Sequence, residues 1–140
     1  MADAREIVKR LIEGAYEGDY ALIDEFVAPA YVGHDPAQPE PASGPAGFKQ
    51  NVEKYRTAFE DARITVDAQV AEGDMVATRW TGRGTHTGEI AGMPATGKQV
   101  TVSGITIARF EGGQIVEDWS NWDTLGMLIQ LGAVPAPTQA

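Results

Sequence analysis

The chain has 140 residues, 11 basic and 20 acidic, for a formal net charge of -9. Without a Lys/Arg cluster it lacks the phosphate-neutralising term that drives nucleic-acid binding, and an anionic lipid surface repels it, so neither nucleic acid nor a membrane is an expected partner. With no cysteine and 43% hydrophobic residues, the composition is that of a globular domain held by packing, with no disulfide, thiolate nucleophile or Cys-ligated metal.

The opening MADAREIVKR is charged and has no apolar run, so no signal peptide is expected there. No later stretch approaches the roughly 20 apolar residues of a membrane span, so the cytoplasm is the expected compartment. Ile7, Val8, Leu11, Ile12, Ala15 and Tyr16 recur at helical spacing, with Asp3 as N-cap and Gly18 as terminator. Leu22, Ile23, Phe26 and Val27 predict a second, short helix that Pro29 stops. Tyr31 to Asp35 is a short extended piece, and Pro36 to Pro45 is an irregular loop. Ser43-Gly44-Pro45 opens a third helix with Phe48, Val52, Tyr55 and Phe59 on one stripe.

After Asp61 the period changes to two. Ile64, Val66, Ala68 and Val70 predict a half-buried strand, Glu72-Gly73-Asp74 a turn, and Met75 to Thr85 a second strand. Gly88 to Lys98 is a loop. Val100 to Phe110 and Ile115 to Trp122 form a hairpin around Glu111-Gly112-Gly113. Leu125, Leu128, Ile129 and Leu131 predict a last short helix, ended by Gly132, and 134–140 is expected to be a flexible tail. Helices first and a meander afterwards define an α+β domain over 1–140. Its curved, antiparallel-rich sheet wraps three N-terminal helices as a cone, with a pocket at the open end. There is no βαβ alternation and no glycine-rich phosphate loop.

Chemistry must fall on few groups. Asp123 ends the strand Ile115 to Trp122, and by strand parity Trp119, Asn121 and Asp123 share a face. A carboxyl walled by aromatics loses hydration of its charged form and becomes suited to moving protons, although spacing alone reads Asp123 first as the cap of the last helix, a role that does not exclude the other. His86 shares parity with Trp80; the plain alternative is a structural imidazole. His34, in His34-Asp35-Pro36, reads first as turn chemistry. Trp80, Trp119, Asn121, Tyr55 and Phe59 are candidate pocket residues, and the tryptophans and tyrosines are by default packing residues. The pairs Glu60-Asp61 and Glu117-Asp118 read as surface carboxylates. Two histidines without HExxH spacing predict no metal site.

Several segments then form a recognisable order. They are Arg79-Trp80-Thr81-Gly82-Arg83-Gly84-Thr85-His86-Thr87-Gly88, Gly92-Met93-Pro94-Ala95-Thr96-Gly97-Lys98, Arg109-Phe110-Glu111-Gly112-Gly113-Gln114-Ile115-Val116-Glu117-Asp118-Trp119, and Trp122-Asp123 with Leu128-Ile129-Gln130-Leu131-Gly132. With Gly73-Asp74 and His34-Asp35-Pro36 upstream, the chain closely resembles the SnoaL-like polyketide cyclase family. Ala95 and Glu60-Asp61-Ala62 depart from its usual prolines. The resemblance implies the nuclear-transport-factor-like cone and cofactor-free, homo-oligomeric catalysts of aldol ring closure in aromatic polyketide esters, hence a hydrophobic, polyketide-like substrate. It implies Asp123 as the acid/base carboxylate, His86 as its partner and His34 as a further motif position. A non-catalytic binding or dimerising module and a cofactor-free hydroxylase or isomerase are the alternatives on the same fold.

Overall fold

The computed structural model describes residues 3–137. Helix α1 (Ala4–Ala15) starts where the Asp3 side chain accepts from the Arg5 backbone N–H, and it buries Ile7, Val8, Leu11 and Ala15, one face at helical spacing. Helix α2 (Ala21–Phe26) buries Leu22, Ile23 and Phe26. Helix α3 (Gly44–Ala58) has Pro45 in its first turn, where the missing N–H costs nothing. Helix α4 (Thr124–Leu131) ends at Gly132 in the left-handed conformation, φ 82°.

The strands are β1 (Val27–His34), β2 (Ala42–Ser43), β3 (Arg63–Glu72), β4 (Met75–Thr85), β5 (Gln99–Glu111) and β6 (Gln114–Trp122). They form one six-stranded sheet in the order β2-β1-β6-β5-β4-β3. The β5–β6 hairpin turns on Gly112 and Gly113, with φ 58° and 80°, a pair of positive values that side-chain-bearing residues resist. The α+β plan and the later strands match the sequence expectation closely.

Three features of the sheet differ from it, the first being that the short β2, paired antiparallel with β1, lies inside the Pro36 to Pro45 stretch expected to be irregular. The extended piece near Tyr31 begins at Val27 and runs through Pro29, and as β1 it pairs in parallel with β6, opposing Gly33 to Asp118 and His34 to Trp119. Pairing between residues nearly ninety positions apart leaves no local periodic signal. In β3 the register shifts between Val66 and Ala68. This irregularity reverses the alternation, so Gln69 turns inward to bond Thr78 Oγ1 at 3.1 Å while Val70 is 71% exposed.

The main core joins α1, α2 and Val52 of α3 to the inner sheet face at Val76, Ala108, Phe110 and Ile115. A second cluster, with Ala58, Phe59, Val100, Met127 and Leu131, closes the other end of the cone. Among the described residues no helix is long and apolar enough to cross a membrane. Residues 134–137 of the expected tail hold no helix or strand, and 138–140 lie outside the described residues.

Candidate active site

The sheet and helices surround a cavity of about 620 Å³ whose wall includes Tyr16 at the C-cap of α1, Tyr31, Gly33 and His34 of β1, Trp80 of β4, and Asp118 and Ser120 of β6. A smaller chamber of about 110 Å³ adjoins it; Tyr16, Asp35, Asn51, Ile64, Trp80 and Ser120 line both. Part of the cavity surface is a polar chain: Trp80 Nε1 donates to Thr106 Oγ1 at 3.0 Å, and Thr106 Oγ1 lies 2.8 Å from Ser120 Oγ. With its donor satisfied, the Trp80 indole can serve as a fixed flat wall.

The central group is Asp118, which is 8% exposed. Burial pushes its carboxyl up to about 7, opposed by a hydrogen bond from Tyr31 and by nearby His34. The Tyr31 hydroxyl donates to Oδ1 at 2.9 Å. Burial and the adjacent carboxylate hold the Tyr31 phenol far above its usual range, so it remains a neutral donor. Oδ2 has no hydrogen-bond partner among the described residues, and Asp118 lines the cavity. The contact depends on Gly33, opposite Asp118 in the β1–β6 pairing: a Cβ there would collide with the Tyr31 hydroxyl and stand 3.0 Å from Asp118 Oδ1. Tyr16, on both cavity walls, is likewise kept protonated, first by burial and then by nearby Tyr55 and Asp118.

His34 stands beside this group. Its Nε2 lies 2.8 Å from Glu117 Oε2, and Arg109 Nη2 donates to the other Glu117 oxygen at 3.4 Å. The hydrogen bond from His34, reinforced by Arg109, holds Glu117 below the usual carboxylate range. The His34 ring stacks on Trp119, with centroids 5.7 Å apart and planes 17° off parallel. Glu117 and Trp119 together fix the orientation of the His34 ring, and Nδ1 is left without a partner among the described residues.

The sequence expectation for Asp123 needs correction. Asp123 is the N-cap of α4: it is exposed, its Oδ1 accepts from the Gly126 N–H at 2.8 Å, and it lines neither cavity. The parity argument put Trp119 and Asn121 on one face, but that face looks away from the cavity, and Asp123 lies beyond the end of β6. In the β5–β6 register Trp119 opposes Ile107 and Asn121 opposes Ile105, two partly exposed residues. Asn121 is itself exposed, and neither it nor Trp119 lines a cavity. The inward set is Asp118, Ser120 and Trp122. Trp119 and Trp122, three apart, point to opposite faces, so aromatic content could not identify the inner one.

His86 is fully buried but also lines neither cavity, and its side-chain partners are Thr96 and Phe59, not Asp123. Its Nδ1 accepts from the Thr96 N–H at 3.2 Å and lies 2.9 Å from Thr96 Oγ1, and its ring packs on Phe59 at 5.5 Å. With its backbone N–H donating to Lys98 O and its carbonyl accepting from Gly97, His86 pins the β4–β5 connection. Trp80 lines both cavities, Tyr55 and Phe59 line the smaller, and His34 the larger. Asp118, which sequence reasoning assigned to the surface, was missed because Glu117-Asp118 reads as an ordinary charged pair. Only the parallel pairing with β1 shows that Asp118 faces inward.

A six-stranded sheet closed by helices around a buried carboxylate describes a class of small α+β cone enzymes. The SnoaL-like polyketide cyclase family model matches residues 5–131, and the chain belongs to that family. It is 30% identical over 141 residues to the aklanonic acid methyl ester cyclase DauD of Streptomyces sp. (strain C5), covering 99% of this chain and 86% of that one. It is 30% identical to the same-named cyclase DnrD of Streptomyces peucetius, covering 99% and 96%. Among solved structures it superposes on IdmH, a candidate polyketide cyclase from Streptomyces antibioticus, with a TM-score of 0.82 and 32% identity over 94% of this chain and 99% of that one. AclR, a candidate hydroxylase from Streptomyces galilaeus, gives 0.85 with 27% identity over 99% and 87%. The nuclear-transport-factor-like cone and the family expected from the sequence are therefore both found.

Proposed function

We propose that the chain catalyses an intramolecular aldol ring closure in a fused aromatic polyketide ester, with Asp118 as the base and His34 as the acid. The observation that carries this reading is the Asp118 carboxylate, buried in the cavity wall of a chain from a cyclase family, with one oxygen held by Tyr31 and the other without a hydrogen-bond partner among the described residues. A carboxyl titrating near 7 is a far stronger base than one in water, yet is substantially ionised at neutral pH. Asp118 Oδ2 takes the proton from the carbon between two carbonyls. The resulting enolate carbon attacks the ketone, the new C–C bond forms as the C=O π bond breaks, and His34 protonates the oxygen. Asp118 then releases its proton and His34 regains one, so the net change is an isomerisation. The Tyr16 hydroxyl and the Trp80 indole support the reading as a donor and a flat wall for the ring system.

The test is incubation with aklanonic acid methyl ester, followed by chromatography with dissolved oxygen monitored. Ring closure without oxygen uptake is expected. An oxygenated product formed with oxygen consumption would instead favour the hydroxylase chemistry suggested for AclR. Failure to convert several such esters would end the cyclase reading.

We further propose a homo-oligomer in the cytoplasm, formed through the outer sheet face where Ile105 and Ile107 are 50% and 37% exposed. Sedimentation of an Ile105→Asp, Ile107→Asp variant should then show a smaller species than wild type; an unchanged mass would exclude that face.

A further inference from the structure

The smaller chamber has a different character from the main cavity. Where the two meet, Asp35, Asn51 and Ser120 supply polar groups. Beyond them the wall is built from Phe59, Ile64, Val102, Trp122 and Met127, contributed by four separate elements and the residue closing α3. The Trp122 indole is held in place, donating from Nε1 to Asp35 Oδ2 at 3.1 Å and meeting the Tyr55 ring edge-on at 5.7 Å and 89°. Asp35 is itself fixed, since its other oxygen accepts from the Ala37 N–H at 2.8 Å. The wall is therefore preorganised and mostly apolar, although Arg83, whose side chain is exposed, also contributes to its lining.

Gly82 sets the depth. It lies opposite Val102 in the β4–β5 ladder. A Cβ at Gly82 would stand 3.0 Å from Ile64 Cδ1, 3.4 Å from Val102 Cγ2 and 3.6 Å from Trp80 Cζ3. Gly82 and all three neighbours line the chamber, so a side chain at 82 would press on Ile64 and Val102 and narrow it. The nearest atom is the end of a flexible side chain, so alanine can be accommodated there by a small shift of Ile64.

We infer that this chamber is a specificity subsite for a short alkyl substituent on the ring system bound in the larger cavity, with Gly82 as the residue that sets its length limit. The inference rests on the fused-aromatic reading for what occupies the larger cavity. An apolar group entering the chamber leaves water for a surface of matching character, whereas a hydroxyl or carboxylate pressed against the apolar wall would be stripped of water without a replacement partner. The polar collar of Asp35, Asn51 and Ser120 lets the ring's own oxygens remain bonded at the junction.

The test measures dissociation constants for 1,8-dihydroxyanthraquinone and its 3-propyl derivative by quenching of tryptophan fluorescence. At roughly fourfold per buried methylene, the propyl compound should bind wild type at least about tenfold more tightly. In Gly82→Val the two should bind within about twofold of each other, and Gly82→Ala, the milder change, should fall between. Equal binding of both compounds to wild type, or an undiminished preference in a folded Gly82→Val protein, would overturn the inference. Propylbenzene provides a second arm that needs no ring system. Saturable shifts of the Ile64, Val102 and Met127 methyl resonances in wild type, lost in the valine variant, support the subsite even if neither quinone binds, an outcome that would count against the fused-ring reading alone. Absence of those shifts in wild type would refute the subsite.

Discussion

Asp118 and Asp123 lie five residues apart on the same strand-to-helix passage, yet they perform unrelated jobs. Asp118 is buried against Tyr31, and its titration is pushed to about 7. Asp123 is exposed and satisfies the first turn of α4 through Gly126. Both are short carboxylates near tryptophans. What separates them is that Asp118 lies on the inner face of β6 while Asp123 lies beyond the strand's end, and the sheet's inner side is defined by partners distant in sequence. A carboxylate gains proton affinity by losing water, and sequence neighbours alone do not remove water.

The comparison breaks most sharply on activity. Asp118→Asn should lower kcat of ring closure by about 10²-fold or more, whereas Asp123→Asn should stay within a few fold of wild type. Steady-state kinetics on both variants would reverse the assignment if the two outcomes were exchanged.

Stability should separate them next. The Asp118 carboxyl is raised from 3.8 in the reference state to about 7 in the fold, so across that window the native state holds a proton that the unfolded chain has released. Stability contributed by this group is therefore complete below about pH 4 and declines as pH rises to about 7, by on the order of 4 kcal/mol at most. Asparagine has no such proton, so Asp118→Asn should gain on wild type from pH 4 to pH 8 in urea unfolding. A constant difference across that range would show that Asp118 is not the group that carries the penalty. Loss of activity alongside a gain in stability at pH 8 is the pattern expected of a site residue held at a cost to the fold.

Tyr31→Phe sharpens the contrast more gently. Removing the hydrogen bond that favours the ionised form should raise the Asp118 titration further, moving the acidic limb of the kcat/KM profile upward by about half to one pH unit. Carboxyl carbon NMR of Asp118 reads the same shift without substrate, and an unmoved titration would remove Tyr31 from that role. The smallest effect belongs to the outer residue: Asp123→Ala should cost about 1 kcal/mol of stability through loss of the helix cap, measured by thermal or urea unfolding, with kinetics unchanged.

Much of this molecule was legible in one dimension. The caps at Asp3 and Gly132, the α3 start at Pro45, the β5–β6 hairpin at Gly112-Gly113 and the order of helices before strands all follow from local chemistry. His34, Trp80, Tyr55 and Phe59 were named from the sequence, and they line the cavities. Of the candidates that do not line them, Asn121 and Trp119 share one parity error, because alternation identifies two faces without saying which is inside, and Asp123 lies beyond the strand's end. His86 was singled out for its chemistry, but it is enclosed by the loop it anchors.

The sequence by itself determined the helices, the last four strands, the family and the scarcity of groups able to move protons, because propensity, capping and composition are local properties. Only the tertiary structure decided which of the 20 acidic residues is set apart. That choice depends on β1 lying parallel to β6, on Gly33 leaving room for Tyr31 to reach across, and on the helices sealing the inner face. Desolvation belongs to the whole enclosure, so the residue that carries it could be found only once the enclosure was seen.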